Sequence, residues 1–439
     1  VSDSVALVWQ RKRKGEASID LGKDRYGKGT LNPDLGYNLH VQRAYAGMIE
    51  LGLLKVTKPG YYMRSGIGAN QGKLTRYVAT DTLVSMFTDE EQSVLPALLP
   101  PLSPDPLVRV RVKDTDGKRG RAVAAEPSDE VMLMSENLQI INTVLNYFWI
   151  DISLPDEEIS KITSKKEAET GNEYPIDFRR RSLYRVSNSH DLTTGGRFYG
   201  PFWQNMPSEL RRHLVIDGKD TVEIDFSRMH PTMLYAREGL DPPGNAYSGV
   251  VDLLEIAPGT DRAAVRSMVK QAFNAMLNAE KPLRNAPKGV EPGNFGLKWR
   301  QVSDAILKLH HPIAHLFYSG MGLRLQRMDS DIAEAVMLNF AQSNIPVLPV
   351  HDSFIVHHGL ENSLEVAMKQ AFLDVIKRNP DLKVTPAAEH FQTAASERLI
   401  GPDGIVNMDL DLLIEANDVG YQHRLAAHRK IQSDARKAN

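Results

Sequence analysis

The sequence contains no cysteine. Disulfide staples and thiolate metal sites are thereby excluded, so any metal has to be held by oxygen or imidazole nitrogen, and a reducing interior is the expected home. No apolar run reaches the length of a membrane span, so no membrane partner is expected and a cytoplasmic setting is. The opening residues VSDSVALVWQRKRKG lack the basic, apolar and small-residue order of a signal peptide. They begin at Val1 rather than methionine, which reads as a cut or processed start. Charge of one sign is missing too: 53 Lys and Arg stand against 55 Asp and Glu, for a formal net charge of −2. A uniformly basic nucleic-acid coat is therefore excluded, and polyanion contacts must use local runs such as Arg11–Lys14 or Arg179–Arg181.

What is present is a chain of 439 residues, 42% hydrophobic, long enough for two or three domains. In NLHVQRAYAGMIELGL, Val41, Tyr45, Met48 and Ile49 recur at helical spacing, and Gly52 is a natural terminator. Two strand-like pieces flank Pro59-Gly60, followed by a strand over Leu74–Val78 and a helix capped by Thr80 or Asp81. Residues 96–130, rich in proline and then in small charged residues, read as an extended linker with one short strand at Val108–Val112. Helical periodicity returns in MLMSENLQIINTVLNYFW, whereas Ile152–His190 shows no clean element. The final YQHRLAAHRKIQSDARK reads as a basic helix that either contacts a duplex or caps the molecule.

Two acidic strand ends carry the chemistry. In TVEIDFSRMHPTMLY, a strand from Thr221 to Ile224 is ended by Asp225, and Pro231 opens a helix. In IPVLPVHDSFIVHH, two strands flank a polar apex at His351-Asp352-Ser353. Only long-range folding can bring the two aspartates together. Close carboxylates repel while both are ionised, and Mg²⁺ relieves that by coordinating their hard oxygens. Two ions about 3.5–4 Å apart can activate an attacking 3′-hydroxyl and stabilise a departing pyrophosphate. Between the aspartates, DRAAVRSMVKQAFNAMLNAE sets Arg266 and Lys270 four apart on one helical face, with Asp261 as cap. Cations placed there suit the developing charge of a triphosphate. Taken singly, each feature reads equally as a turn aspartate or a solvated helix.

In this order, the motifs resemble the palm and fingers of family A nucleic-acid polymerases and their single-subunit phage RNA-polymerase relatives, over about residues 190–360. Asp225-Phe226-Ser227 is similar to the first acidic motif, Arg266-x-x-x-Lys270 to the fingers helix, and His351-Asp352-Ser353 to the second acidic motif. TTGGRFYGPFWQNMPSELRR resembles the segment carrying the family's "TGR" and "LQNIP" elements. The resemblance implies an α+β right-hand fold with an antiparallel palm sheet and helical fingers. It implies two Mg²⁺ ions, replaceable by Mn²⁺, on Asp225, Asp352 and the Phe226 carbonyl. The catalytic set is Asp225, Asp352, Arg266, Lys270 and His351, with His351 positioning the primer end. Arg266 and Lys270 hold the nucleotide, and His230, Phe273 and Asn278 surround it. Arg197, Gln204, Asn205, Arg211, Arg212 and Gln326 contact primer or template. Implied partners are a DNA template and primer, nucleoside triphosphates, and a replicative helicase or other replication proteins, in a bacterial or phage-infected cell.

There are departures from the pattern. Asn278-Ala279 stands where both related families carry tyrosine and glycine, and Phe273 is displaced by one position from the DNA-polymerase phenylalanine. His230 stands where DNA polymerases of the family carry glutamate, and it either blocks a ribose 2′-hydroxyl by bulk or accepts it by hydrogen bonding. The TGR-like and QNMP segments favour the DNA branch, while HDS and RSxxK favour the RNA branch. The expected activity is extension of a primer by dNTPs. RNA or primer (primase) synthesis is the alternative, and a non-catalytic DNA-binding replication protein is the third reading. Residues 20–90 resemble a winged-helix domain, which implies DNA contacts by Gln42, Arg43, Lys58, Lys73 and Arg76. The expected division is 1–95 winged-helix-like, 96–130 linker, 131–190 reduced thumb or connecting region, 191–360 palm and fingers, and 361–439 helical palm extension and tail.

Overall fold

Alternation in KDTVEIDFS decides how the centre of the molecule is built. Val222, Ile224 and Phe226 point into the core, and Glu223, Asp225 and Ser227 lie half-buried on the opposite face. The computed structural model describes residue 8 and residues 17–19, 39–63, 71–73, 75–112, 120, 122–172, 174, 176–385 and 420–438. Its main sheet has six strands: β1 (Ile150–Ile152), β2 (Leu214–Ile216), β3 (Lys219–Ser227), β4 (Leu348–Val350), β5 (Ser353–His357) and β6 (Asp381–Thr385). The order is β4-β5-β3-β2-β1, with β6 also paired to β3, and every pairing is antiparallel.

The helices that shape the site are α1 (Asp129–Tyr147), α2 (Met229–Arg237), α3 (Arg262–Asn278), α4 (Met321–Gln342), α5 (Glu361–Ile376) and α6 (Gly420–Ala438). The apolar face of β3 packs on α5, where Phe226 and Phe372 have ring centroids 5.4 Å apart. A second sheet runs Gly195–Tyr199, Tyr184–Ser187, Val108–Val110, Val123–Ala124. It is tied to α4 by Arg185, 1% exposed, which pairs with Asp331 at 2.6 Å and Glu334 at 2.9 Å. Such a buried cation persists only where its donors are matched.

Several boundaries differ from the sequence expectation. The strand does not stop at Asp225, because β6 continues the ladder past it: Asp225 faces Lys383 and Ser227 faces Asp381. Within residues 131–190, β1 adds a strand to the main sheet beside β2. Residues 152–190, which show no clean pattern, contain a helix at Asp156–Thr170 and the Tyr184–Ser187 strand. Within the expected linker, Val108–Val110 pairs in parallel with Tyr184–Ser187.

At the N-terminal side, the Leu39–Glu50 helix ends before Gly52 (φ 68°), and Thr80 caps Asp81–Val84 through its side chain, both as expected. A three-stranded sheet joins Ala17–Ile19, Thr75–Ala79 and Leu54–Lys58, with a small hairpin of Tyr61–Met63 and Gln71–Lys73. Among the described residues the Leu39–Glu50 helix lies between Ala17–Ile19 and the other strands, and no comparison supports a winged-helix assignment. Arg43 and Lys58 are exposed and Arg76 is half-buried on its strand. The side chains of Gln42 and Lys73 lie outside the described residues.

Candidate active site

The two aspartates meet. β3 and β5 pair so that Asp225 is opposite Ser353, and the Phe226 N–H donates to the Asp352 carbonyl at 3.1 Å. Asp352 is on a two-residue hairpin connection closed by the Val350–Ser353 pair. His351 supplies the positive φ that a tight hairpin needs (58°), at a cost of about 1 kcal/mol for a residue with a Cβ. Ser353 Oγ lies 3.0 Å from the Val350 carbonyl and also bonds the Glu223 carboxylate, which fastens the turn to β3. Arg211 Nε is 3.8 Å from the other Glu223 oxygen.

This crowding has an electrostatic signature. Burial, with Asp352 and then Glu223 adding to it, pushes the Asp225 carboxyl up to about 7, against the opposing pull of Lys270 and Lys383. Among the described residues no group of three or more Asp, Glu or His side chains is arranged to hold a metal. The available donors are two carboxylates and one main-chain carbonyl. In an extended strand a residue's N–H and C=O point the same way, so the Phe226 carbonyl faces the edge where Asp352 lies. These are hard oxygen donors, two of them carboxylates crowded against each other, which suits Mg²⁺. Asp225, Asp352 and the Phe226 carbonyl are the residues that would hold it.

Helix α3 supplies the opposite charge. Asp261 caps it, accepting from the N–H groups of Ala263 at 2.9 Å and Ala264 at 3.2 Å. Val265, Met268, Val269, Ala272 and Met276 anchor the inner face, leaving Arg266 and Lys270 exposed. Arg266 lies over the Tyr247 ring, 5.5 Å from its centroid. Lys270 acts on both Asp225 and His230. Phe273 is fully buried against Tyr247, His310 and Phe317, so it does not present a ring to a base as expected. It props the helix from below. Asn278 is exposed, donates to the Asn274 carbonyl at 2.8 Å, and abuts Gly322, where a Cβ would sit 2.3 Å from its Oδ1.

Two residues that sequence reasoning missed complete this face. Asn274 lies one turn beyond Lys270, and its Oδ1 is 3.4 Å from His230 Nδ1. Burial and Arg197 lower the His230 pKa, so the ring is neutral near pH 7. Tyr247 packs beneath Arg266, with burial raising its hydroxyl pKa while Arg266 opposes. Periodicity in α3 could have flagged Asn274. No local pattern marks Tyr247.

The remaining expected residues divide between contact and support. Arg197 is half-buried, with Nη2 2.8 Å from Asp329 Oδ2. Asp329 is 3% exposed, and its carboxyl is pushed up to about 6 by burial despite that partner. Arg197, Asp329, Gln204 and His351 line one small cavity. Gln204 donates to the Pro349 carbonyl at 3.1 Å, so it holds the strand before His351. Asn205 and Arg212 are exposed, and Gln326 is half-buried one turn before Asp329. Burial and Arg197 lower the His351 pKa.

No family model and no curated protein matches the chain. Among solved structures, one that matches is the POL domain of Pol1 from M. smegmatis in complex with a DNA primer-template and dNTP. The identity is 13% over 52% of this chain and 51% of that one, with a TM-score of 0.31. The chain thus spans about half of that structure, and the functional reading stands on this chain's own residues.

Proposed function

We propose that the protein is a template-directed nucleotidyltransferase that extends a primer 3′-hydroxyl with dNTPs. The observation that carries this reading is the ladder that sets Asp225 opposite Ser353 and bonds the Phe226 N–H to the Asp352 carbonyl, with Lys270 on the exposed face of α3 acting on Asp225. In the reaction, the 3′-oxygen bonds to the α-phosphorus, the bond to the β-phosphate oxygen breaks, and pyrophosphate leaves. Mg²⁺ held by Asp225, Asp352 and the Phe226 carbonyl would supply charge for the attacking and leaving oxygens. Arg266 and Lys270 bind the triphosphate and meet the charge on the departing pyrophosphate. His351, held by its turn beside Arg197, orients the primer end. A DNA primer-template is the partner this chemistry requires.

A second reading, ribonucleotide use, has its own observation. A neutral His230 that donates Nδ1–H to Asn274 Oδ1 leaves Nε2 as an acceptor, the group that a 2′-hydroxyl can donate to. Incubation with Mg²⁺, primed or unprimed template and all four dNTPs or all four NTPs separates the readings. Primed dNTP extension supports DNA synthesis, de novo NTP products support RNA synthesis, and no incorporation under any condition overturns both.

A further inference from the structure

We infer that the outer half of α6 is a docking surface for the phosphate backbone of duplex nucleic acid, held rigidly to the main sheet by the inner half. The inner half is built into the core. Arg424 is fully buried, placing Nε 2.7 Å from Asp151 Oδ2 and Nη2 2.9 Å from Asp151 Oδ1, with Asp156 at 3.1 Å. Leu425 and His428 are buried beside it, and His428 faces the Tyr147 carbonyl at 2.9 Å. The helix also packs on Asp89–Leu98.

Beyond His428 the character reverses. Arg429, Lys430, Arg436 and Lys437 are exposed, with Asp434 the one acidic residue on that stretch. None of the four cations is within ion-pair distance of a carboxylate among the described residues. A favourable interaction with the helix dipole accounts for Arg436 and Lys437 in the last turn, but not for Arg429 and Lys430 further in. Arg429, Gln432, Ser433, Arg436 and Lys437 line one groove of about 380 Å³, a wall that contains no carboxylate.

Two of the arginines are already oriented. Arg429 Nη2 donates to the Asp217 carbonyl at 3.1 Å, and Arg436 bonds the Tyr147 hydroxyl with its guanidinium over that ring. Binding a polyanion therefore orders few further side-chain rotors. Arg429 and Arg436 are seven positions apart, about 10 Å along the axis. A duplex presents one negative charge per about 1.7 Å, so several phosphates fall within that span. A chain of net charge −2 gains such a contact only by collecting its cations locally. This inference extends the proposed function but does not depend on catalysis.

The test compares the full-length native chain with R429Q/K430Q/R436Q/K437Q, binding a blunt duplex DNA without metal or nucleotide over a salt series. A control, K161Q/K165Q/R300Q/K369Q, removes the same amount of charge from exposed positions elsewhere. The α6 variant should bind at least about tenfold more weakly at low salt, with the slope of log K against log salt falling by about 2–3.6, at roughly 0.9 per lost contact. Unchanged affinity and slope, or equal losses in the control, would overturn the inference. Thermal melting identifies a misfolded variant. In that case a photo-crosslinker at position 437 replaces the binding comparison, and absence of DNA adducts overturns the inference. Failure of the proposed function reads differently, as a native chain that binds DNA and incorporates no nucleotide.

Discussion

Phe226 donates its backbone N–H to the carbonyl of Asp352, so the residue that follows one aspartate is hydrogen-bonded to the other. Separation of the two carboxylates is thereby set by a sheet ladder rather than by flexible side chains. D225N and D352N should each keep the fold and duplex binding while losing on the order of 10³-fold or more of nucleotide incorporation, read by primer extension. Incorporation that survives in both variants would sink the site. In metal-free buffer D225N should also melt higher than the native chain at pH 8.5. The native Asp225 pKa, about 7, exceeds the unfolded value, so its contribution to stability is lost as pH rises through 7, and asparagine escapes that loss.

His230 and Asn274 make sugar choice measurable. If Nε2 accepts the 2′-hydroxyl, H230L should lower the NTP-to-dNTP ratio of kcat/KM by about tenfold, the worth of one hydrogen bond. Single-nucleotide insertion reads this directly. A ratio that rises instead would mean that the ring excludes ribose by bulk.

Asp329 gives a second pH dependence, at the cavity it lines with Arg197 and His351. Its folded pKa, about 6, lies above the ordinary 3.8, so it binds its proton more tightly in the native state. The corresponding stability is complete below pH 4 and lost as pH rises through 6, an effect of at most ~3 kcal/mol. Urea melts at pH 4.5 and pH 7.5 should show this fall in the native chain but not in D329N. Parallel pH profiles for both proteins would contradict it.

Parts of this arrangement were legible in the sequence because their causes are local. The 3.6-residue apolar repeat and Asp261 mark α3, and apolar runs around His351-Asp352-Ser353 mark the hairpin. What joins them is not local. The register of Asp225 against Ser353 is set across the sheet, and β6 lies in a polar stretch that gives no strand pattern of its own. Phe273 misled because α3 repeats every 3.6 residues. One position separates an apolar-facing ring from a solvent-facing one, and Phe273 falls on the buried side with Val269 and Met276. β1 shows no pattern of its own because three residues are too few for alternation to appear. The basic C-terminal helix offered capping and duplex contact as alternatives. The inner half takes the first role through Arg424, a charge that no local pattern marks as buried.

That buried charge, Arg424, should be indispensable as a partner and replaceable as a pair. Asp151 is fully buried and also accepts from Trp149 Nε1 at 2.8 Å and from the Ile152 N–H at 2.7 Å. R424M leaves that carboxylate without its bidentate cation inside the protein, a change expected to cost ~3–5 kcal/mol. R424M/D151L removes both charges together and should recover part of the loss, since the bare carboxylate is gone while Trp149 Nε1, the Ile152 N–H and the buried Arg181 lose their acceptor or counter-charge. Urea denaturation of the native chain, the two single variants and the double variant gives the coupling energy. Additive losses would show that Arg424 acts through packing on Phe178, over whose ring it lies at 4.8 Å, and not through Asp151.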